Sequence, residues 1–165
     1  MATGIFVNPL NLQEAAYFYT RYQVVVTADA LTQTSAATAQ TWNIIPLAIG
    51  DIVRYACYYL KIPLQDDDDA AFNSDTMSLG DGGSATRFWA AQELNANGTF
   101  VNEAQGPSAL VAPYTSADNL VLTVNSMTAK VLNNINVGEF EIYAEILTPS
   151  KLSLARSAMS ILTKS

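Results

Sequence analysis

"EFEIYAEIL", residues 139–147, decides the fold class. Phe140, Ile142, Ala144 and Ile146 share one parity while Glu139, Glu141, Tyr143 and Glu145 share the other. That period of two is the mark of a strand with one face in a core and one face outward. Working outward, "NLVLTVN" (119–125) sets Leu120, Leu122 and Val124 on one face, and "YQVVVTA" (22–28) groups Tyr22, Val24 and Val26. "TWNIIPL" (41–47) places Trp42 and Ile44 together before Pro46, which has no N–H for a ladder and is expected to end it. "GDIVRYACYYLKIPL" (50–64) is apolar on both faces apart from Arg54 and Lys61, as in a central strand or one covered by a neighbouring subunit. Turn-forming clusters separate these runs at 48–51 (AIGD), 79–84 (LGDGGS), 95–98 (NANG) and 136–139 (NVGE). Alternating strands at this turn density predict an all-β chain, a single antiparallel β-sandwich, jelly-roll-like in type.

Helix signals are short. Asn11 with Glu14 has capping-box spacing before "AAYFYTRY", Ser84 opens "SATRFWAAQEL", and Ser150 follows Pro149 ahead of "KLSLARSAMSIL". Each predicts a short helix. No internal repeat and no low-complexity linker divides the chain.

The 165 residues are enough to bury a core without metal or disulfide, and the single Cys57 permits no internal bridge. A net charge of -7 repels nucleic-acid phosphates and anionic membrane surfaces, so neither is an expected partner. No apolar run approaches the ~18 residues of a membrane span, and no export leader is read at the N-terminus. Charged residues make up only 14% of the chain while eight tyrosines are present, which is the composition of a surface that meets other protein. A homo-oligomer or a place in a larger assembly follows.

With no histidine, Ser-His-Asp and Cys-His catalytic arrangements cannot be built from this chain. Glu139, Glu141 and Glu145 lie on one face of one strand, neighbours roughly 7 Å apart, a spacing that would permit glycoside hydrolysis. Alternation with core residues favours a plain solvent face instead. "QDDDDAAFNSD" (65–75) gathers Asp66, Asp67, Asp68, Asp69 and Asp75, the residue type calcium selects, without EF-hand spacing. Successive aspartates on an extended loop alternate in direction, so a solvated acidic loop is favoured over a metal site. The glycines of "SLGDGGSATRFWAAQEL" (78–94) suggest a phosphate loop, but the Lys and hydroxyl residue of a Walker motif are missing after Gly83, and Asp81 would repel the anion. Cys57, with only Arg54 as a basic neighbour in sequence, reads as an inert buried or interfacial thiol. Tyr17, Tyr19, Tyr22, Tyr55, Tyr58 and Tyr59 could form a sugar platform, though their place in apolar strands favours core or subunit contact. No catalytic, cofactor-binding or metal residue is assigned, and the chain is expected not to be an enzyme.

Three blocks carry a resemblance: residues 27–66, then "SLGDGGSATRFWAA", then "AKVLNNINVGEFEIYAEI". Together they resemble small structural proteins, of the capsid decoration or cement type, from tailed double-stranded DNA bacteriophages. Leu79, Gly80, Asp81, Arg87, Phe88 and Gly138 match that pattern's turn and packing positions, which carry no chemistry. The resemblance implies a sandwich domain over residues 24–147. Residues 1–23, an N-terminal arm or short helix, and 148–165, a C-terminal tail or short helix, lie outside it. It further implies a homotrimer bound to the major capsid protein on the outer capsid surface of the virion, assembled in the host cytoplasm. A carbohydrate- or receptor-binding module of a phage head fibre or tail is the rival expectation, and a glycosidase the third.

Overall fold

A computed structural model describes residues 5–10, 19–95 and 112–149. They form eight antiparallel strands: β1 (Ile5–Leu10), β2 (Tyr19–Thr27), β3 (Gln40–Leu47), β4 (Ile52–Gln65), β5 (Thr76–Asp81), β6 (Ser84–Glu93), β7 (Asp118–Asn125) and β8 (Val137–Leu147). The strands make two four-stranded sheets, one in the order β1-β2-β8-β4 and the other β3-β7-β5-β6. The chain is thus all-β, as its alternation predicts, and the strands pair as nested partners, β2 with β8, β3 with β7 and β5 with β6.

The parity pattern of β8 builds the core. Phe140, Ile142, Ala144 and Ile146 are buried, with Val24 and Val26 of β2 opposite two of them, and they share one core with Leu120, Leu122 and Val124 of β7 in the other sheet. Of the residues grouped by parity on these faces, Trp42 and Tyr22 stay half-buried, packed on the core margin. Tyr58 of β4 and Trp89 of β6 meet edge to face across the two sheets, ring centres 5.5 Å apart, a favourable aromatic geometry.

Several expectations need correction. The stretch from Ser84 is strand β6, not helix, and residues 19–22 of the first helix candidate belong to β2. The rest of that candidate, residues 11–18, and the candidate from Ser150 lie outside the described residues. Strands β1 and β2 place residues 5–10 and 19–27 in the first sheet. Pro46 does not end its ladder: it pairs with Asn119 and the strand runs on to Leu47. This is tolerated because β3 is an edge strand and a proline there costs no interior hydrogen bond.

The long apolar strand β4 is not central. Among the described residues it pairs with β8 alone, at the border of its sheet. Its two ends are clipped from its free side. The Leu64 N–H donates to the Leu94 carbonyl at 2.9 Å and Asn95 Nδ2 donates to the Leu64 carbonyl at 2.6 Å. At the opposite end the Tyr114 N–H donates to the Asp51 carbonyl (2.9 Å) and the Gly50 N–H to the Tyr114 carbonyl (2.7 Å). Gly138, where β8 begins, has φ +146°, and a Cβ there would stand 2.9 Å from the Leu64 Cα. Only glycine accepts both that conformation and that approach.

Candidate functional site

The glycine turn between β5 and β6 answers the phosphate-loop question. Asp81 points into its own loop: Oδ1 accepts the Gly83 N–H (3.0 Å) and the Ser84 N–H (2.9 Å). Oδ2 accepts the Tyr114 hydroxyl at 2.7 Å and forms an ion pair with Arg87. The Gly82 N–H donates to Asp118 Oδ1 at 3.0 Å. Every amide that could cradle a phosphate here already donates to a carboxylate of this chain, so the loop is a self-capped turn. The Tyr114 hydroxyl is held well above its usual pKa, first by burial and then by its bond to Asp81.

The three glutamates of β8 lie on the outward face of their sheet, each engaged across the strands. Glu145 receives Arg21 Nε from β2 at 3.0 Å and Arg54 Nη1 from β4 at 3.2 Å. Glu141 accepts Gln23 Nε2 at 3.2 Å and the Tyr143 hydroxyl, and Glu139 pairs with Lys61 Nζ at 2.7 Å. This face is not the open solvent face expected from sequence. The side chains of Glu145 and Glu139 are only 16% and 21% exposed, covered by basic side chains that are themselves about half exposed. Ring stacking adds to the lattice, with the Arg54 guanidinium 4.5 Å from the centre of Tyr19. The bond to Glu141, helped by burial, pushes the Tyr143 hydroxyl up to about 12. A glycosidase needs two carboxylates facing each other across a substrate with water or sugar between them. Here the carboxylates sit along one strand and are occupied by their own neighbours, which makes them cross-strand ties.

The tyrosines divide. Tyr58 is buried against Trp89, Tyr22 packs on the core margin, and Tyr19, Tyr55 and Tyr59 are half-buried, while Tyr17 lies outside the described residues. A shallow depression whose lining includes Arg21, Arg54, Tyr55, Tyr143 and Glu145 opens on this face. Its cations are already paired, so it offers aromatic edges and stems to a neighbour more readily than a charged anchor to a small ligand. Cys57 lies half-buried on the same strand as Tyr55 and Tyr59, and no described residue forms a disulfide with it.

The acidic loop is closed on itself. Asp66 Oδ1 accepts the Asp68 N–H (3.0 Å), Asp69 Oδ1 accepts the Ala71 N–H (3.0 Å), and Asp69 Oδ2 pairs with Lys130. The bond from Lys130 holds the Asp69 carboxyl below its usual range. Asp75, grouped with this run by sequence, is instead buried at the start of β5. Among the described residues no three acidic, cysteine or histidine side chains come together as a metal set. Raising calcium to a few millimolar is expected to leave the melting temperature unchanged. A rise of several degrees in a thermal melt would show a site.

No protein-family model matches the sequence, and no curated protein is similar to it. Two solved structures are similar in fold. One is a chain of the Cyanophage Pam1 capsid asymmetric unit, 21% identical, with 90% of this chain and 89% of that chain covered and a TM-score of 0.49. The other is a chain of the acidic stable capsid structure of Helicobacter pylori bacteriophage KHP30. It is 13% identical, with 88% of this chain and 94% of that chain covered and a TM-score of 0.50. The second likeness extends over almost the whole of both chains, and what the two share is their fold.

Proposed function

We propose that the protein is a non-enzymatic structural component of a bacteriophage virion that binds the outside of the capsid, against the major capsid protein, and stabilises it as a decoration or cement protein. The observation that carries this reading is the near full-length fold likeness to a chain of the KHP30 capsid structure. The nested strand order supports the jelly-roll-like description, and the character of the β2-β8-β4 face supports a docking role. Its glutamates, arginines and lysine are paired within the chain, leaving tyrosines and aliphatic stems to meet a neighbour. Such a surface avoids stripping water from unpaired charges on contact. A homotrimer assembled in the host cytoplasm suits this role, with many modest contacts repeated over a symmetric shell. The self-closed acidic loop remains outside the contact.

Mixing the purified chain with shells that lack it tests the proposal, reading bound copies at saturation and the survival of loaded shells on heating. Saturable binding with a higher disruption temperature is the expected result. Saturable binding without added resistance replaces cementing with display or adhesion, the carbohydrate- or receptor-binding role. Failure to bind any shell removes the capsid assignment.

A further inference from the structure

Asp75 precedes β5 and its side chain is wholly enclosed. Oδ1 has no hydrogen-bond partner, and Oδ2 has a long contact of 3.4 Å from Asn95 Nδ2. The Met127 backbone N–H supplies a further bond to the carboxylate. The surroundings bring four parts of the chain together. Asn95 Oδ1 accepts the Asp75 N–H while Nδ2 donates to the Leu64 carbonyl at the end of β4. The Leu94 N–H donates to the Asp75 carbonyl, and Met127 Sδ accepts the Asn73 and Ser74 amides of the preceding loop. The charged groups on these elements are Arg54 and Lys61 on β4, Asp66 to Asp69 on the loop, Asp81 on β5, Arg87 and Glu93 on β6, Asp118 on β7 and Lys130 after it, with Arg54 and Arg87 held by Glu145 and Asp81. None of them forms an ion pair with Asp75, and Lys61 and Lys130 are engaged by Glu139 and Asp69. An enclosed carboxylate with an orphan oxygen and no cation is costly in its charged form and cheap in its neutral form.

We propose that Asp75 is an acid-operated lock, its unpartnered oxygen taking up a proton as the medium acidifies and so tightening the junction between the end of β4, the 66–74 loop and Asn95. This stands independently of the capsid reading. Burial pushes the Asp75 carboxyl up to about 6. The folded chain therefore holds this proton more tightly than the unfolded chain, where an aspartate titrates near ~3.9. The resulting stability is fully present below ~3.9 and is lost as pH rises through about 6. The chain has no histidine, so the usual titration in that window is missing and this one stands clear.

The test is urea unfolding of the wild type, Asp75→Asn and the exposed control Asp66→Asn at pH 7.5 and pH 5. In the wild type and in Asp66→Asn the unfolding constant is expected to fall about tenfold on acidification. In Asp75→Asn that fall disappears. The proposal is overturned if the wild type gains nothing, or if Asp75→Asn keeps the wild-type response. Should Asp75→Asn fail to fold, the carboxyl carbon resonance of Asp75 in the wild type decides, a midpoint near 6 supporting the lock and one below ~4.5 overturning it.

Discussion

Gly80→Ala is expected to cost more than about 4 kcal/mol, a large share of the ~5–15 kcal/mol that holds such a domain together. A Cβ at this position would stand 2.0 Å from the Ser84 carbonyl oxygen, 2.3 Å from the Ala85 carbonyl carbon and 2.6 Å from the Ala85 Cα. All three are backbone atoms of β6, so no rotamer change relieves the overlap. The turn itself has to open, which pulls Leu79 from its partner Trp89 and Asp81 from the amides it caps. Urea unfolding followed by circular dichroism measures the loss, and a variant with the wild-type midpoint would show that the hairpin is not closed as described.

The second large effect belongs to Asp81. Its side chain has no exposure, yet both oxygens are satisfied, by two backbone amides, the Tyr114 hydroxyl and Arg87. Asp81→Ala removes these bonds at once and leaves the Tyr114 hydroxyl without its acceptor, for an expected loss of roughly 3–5 kcal/mol. Arg87 contributes little to that figure because it is 48% exposed and returns to water. Tyr114→Phe deletes one bond while Arg87 and the amides stay, so a loss of about 1 kcal/mol is expected. The two variants compared by chemical denaturation separate the turn's own capping from the tie to residue 114. Equal losses would mean that the hydroxyl, not the amide cap, is the main support.

The period-two runs of β2, β7 and β8 were legible because one face of each meets the core and the other does not, so the pattern in the residues is the pattern in space. Legibility fails where the ladder is irregular. Phe88 and Trp89 are adjacent and both buried, and pairing slips between Met77 and Leu79 on the facing strand, next to Ala91 at φ 20°. The resulting run has no clean alternation and looks helical. Ile44 and Ile45 are likewise both buried across a shift in the β3–β7 register. For β4, apolar residues on both faces signal cover without saying what supplies it, and an edge strand under partial cover carries the same composition as a central one. The resemblance to phage structural proteins singled out Leu79, Gly80, Asp81, Arg87, Phe88 and Gly138: the first four form a closely packed turn and its cap, Phe88 is buried in β6, and Gly138 lies apart, against Leu64 where β8 begins. The ties made by Tyr114 and Asn95 were invisible beforehand. Each joins residues tens of positions apart through a few isolated hydrogen bonds, and such links leave no local signature.

The pairing of β2 with β8 places Arg21 opposite Glu145, partners 124 positions apart in the chain. That separation bears on how the protein comes to exist. Contact order, the mean sequence distance between touching residues, governs folding speed in small domains, and values dominated by such long-range pairs give times of milliseconds to seconds. A ribosome must release the chain as far as β8 before β2 can meet this partner, so β2 waits while more than a hundred intervening residues are made. Until then the valine-rich β2 is a bare edge, and in a cell making many copies at once each is open to pairing with a strand of another. Slow closure, more than marginal final stability, is therefore where low temperature or a chaperone should raise the yield of folded protein.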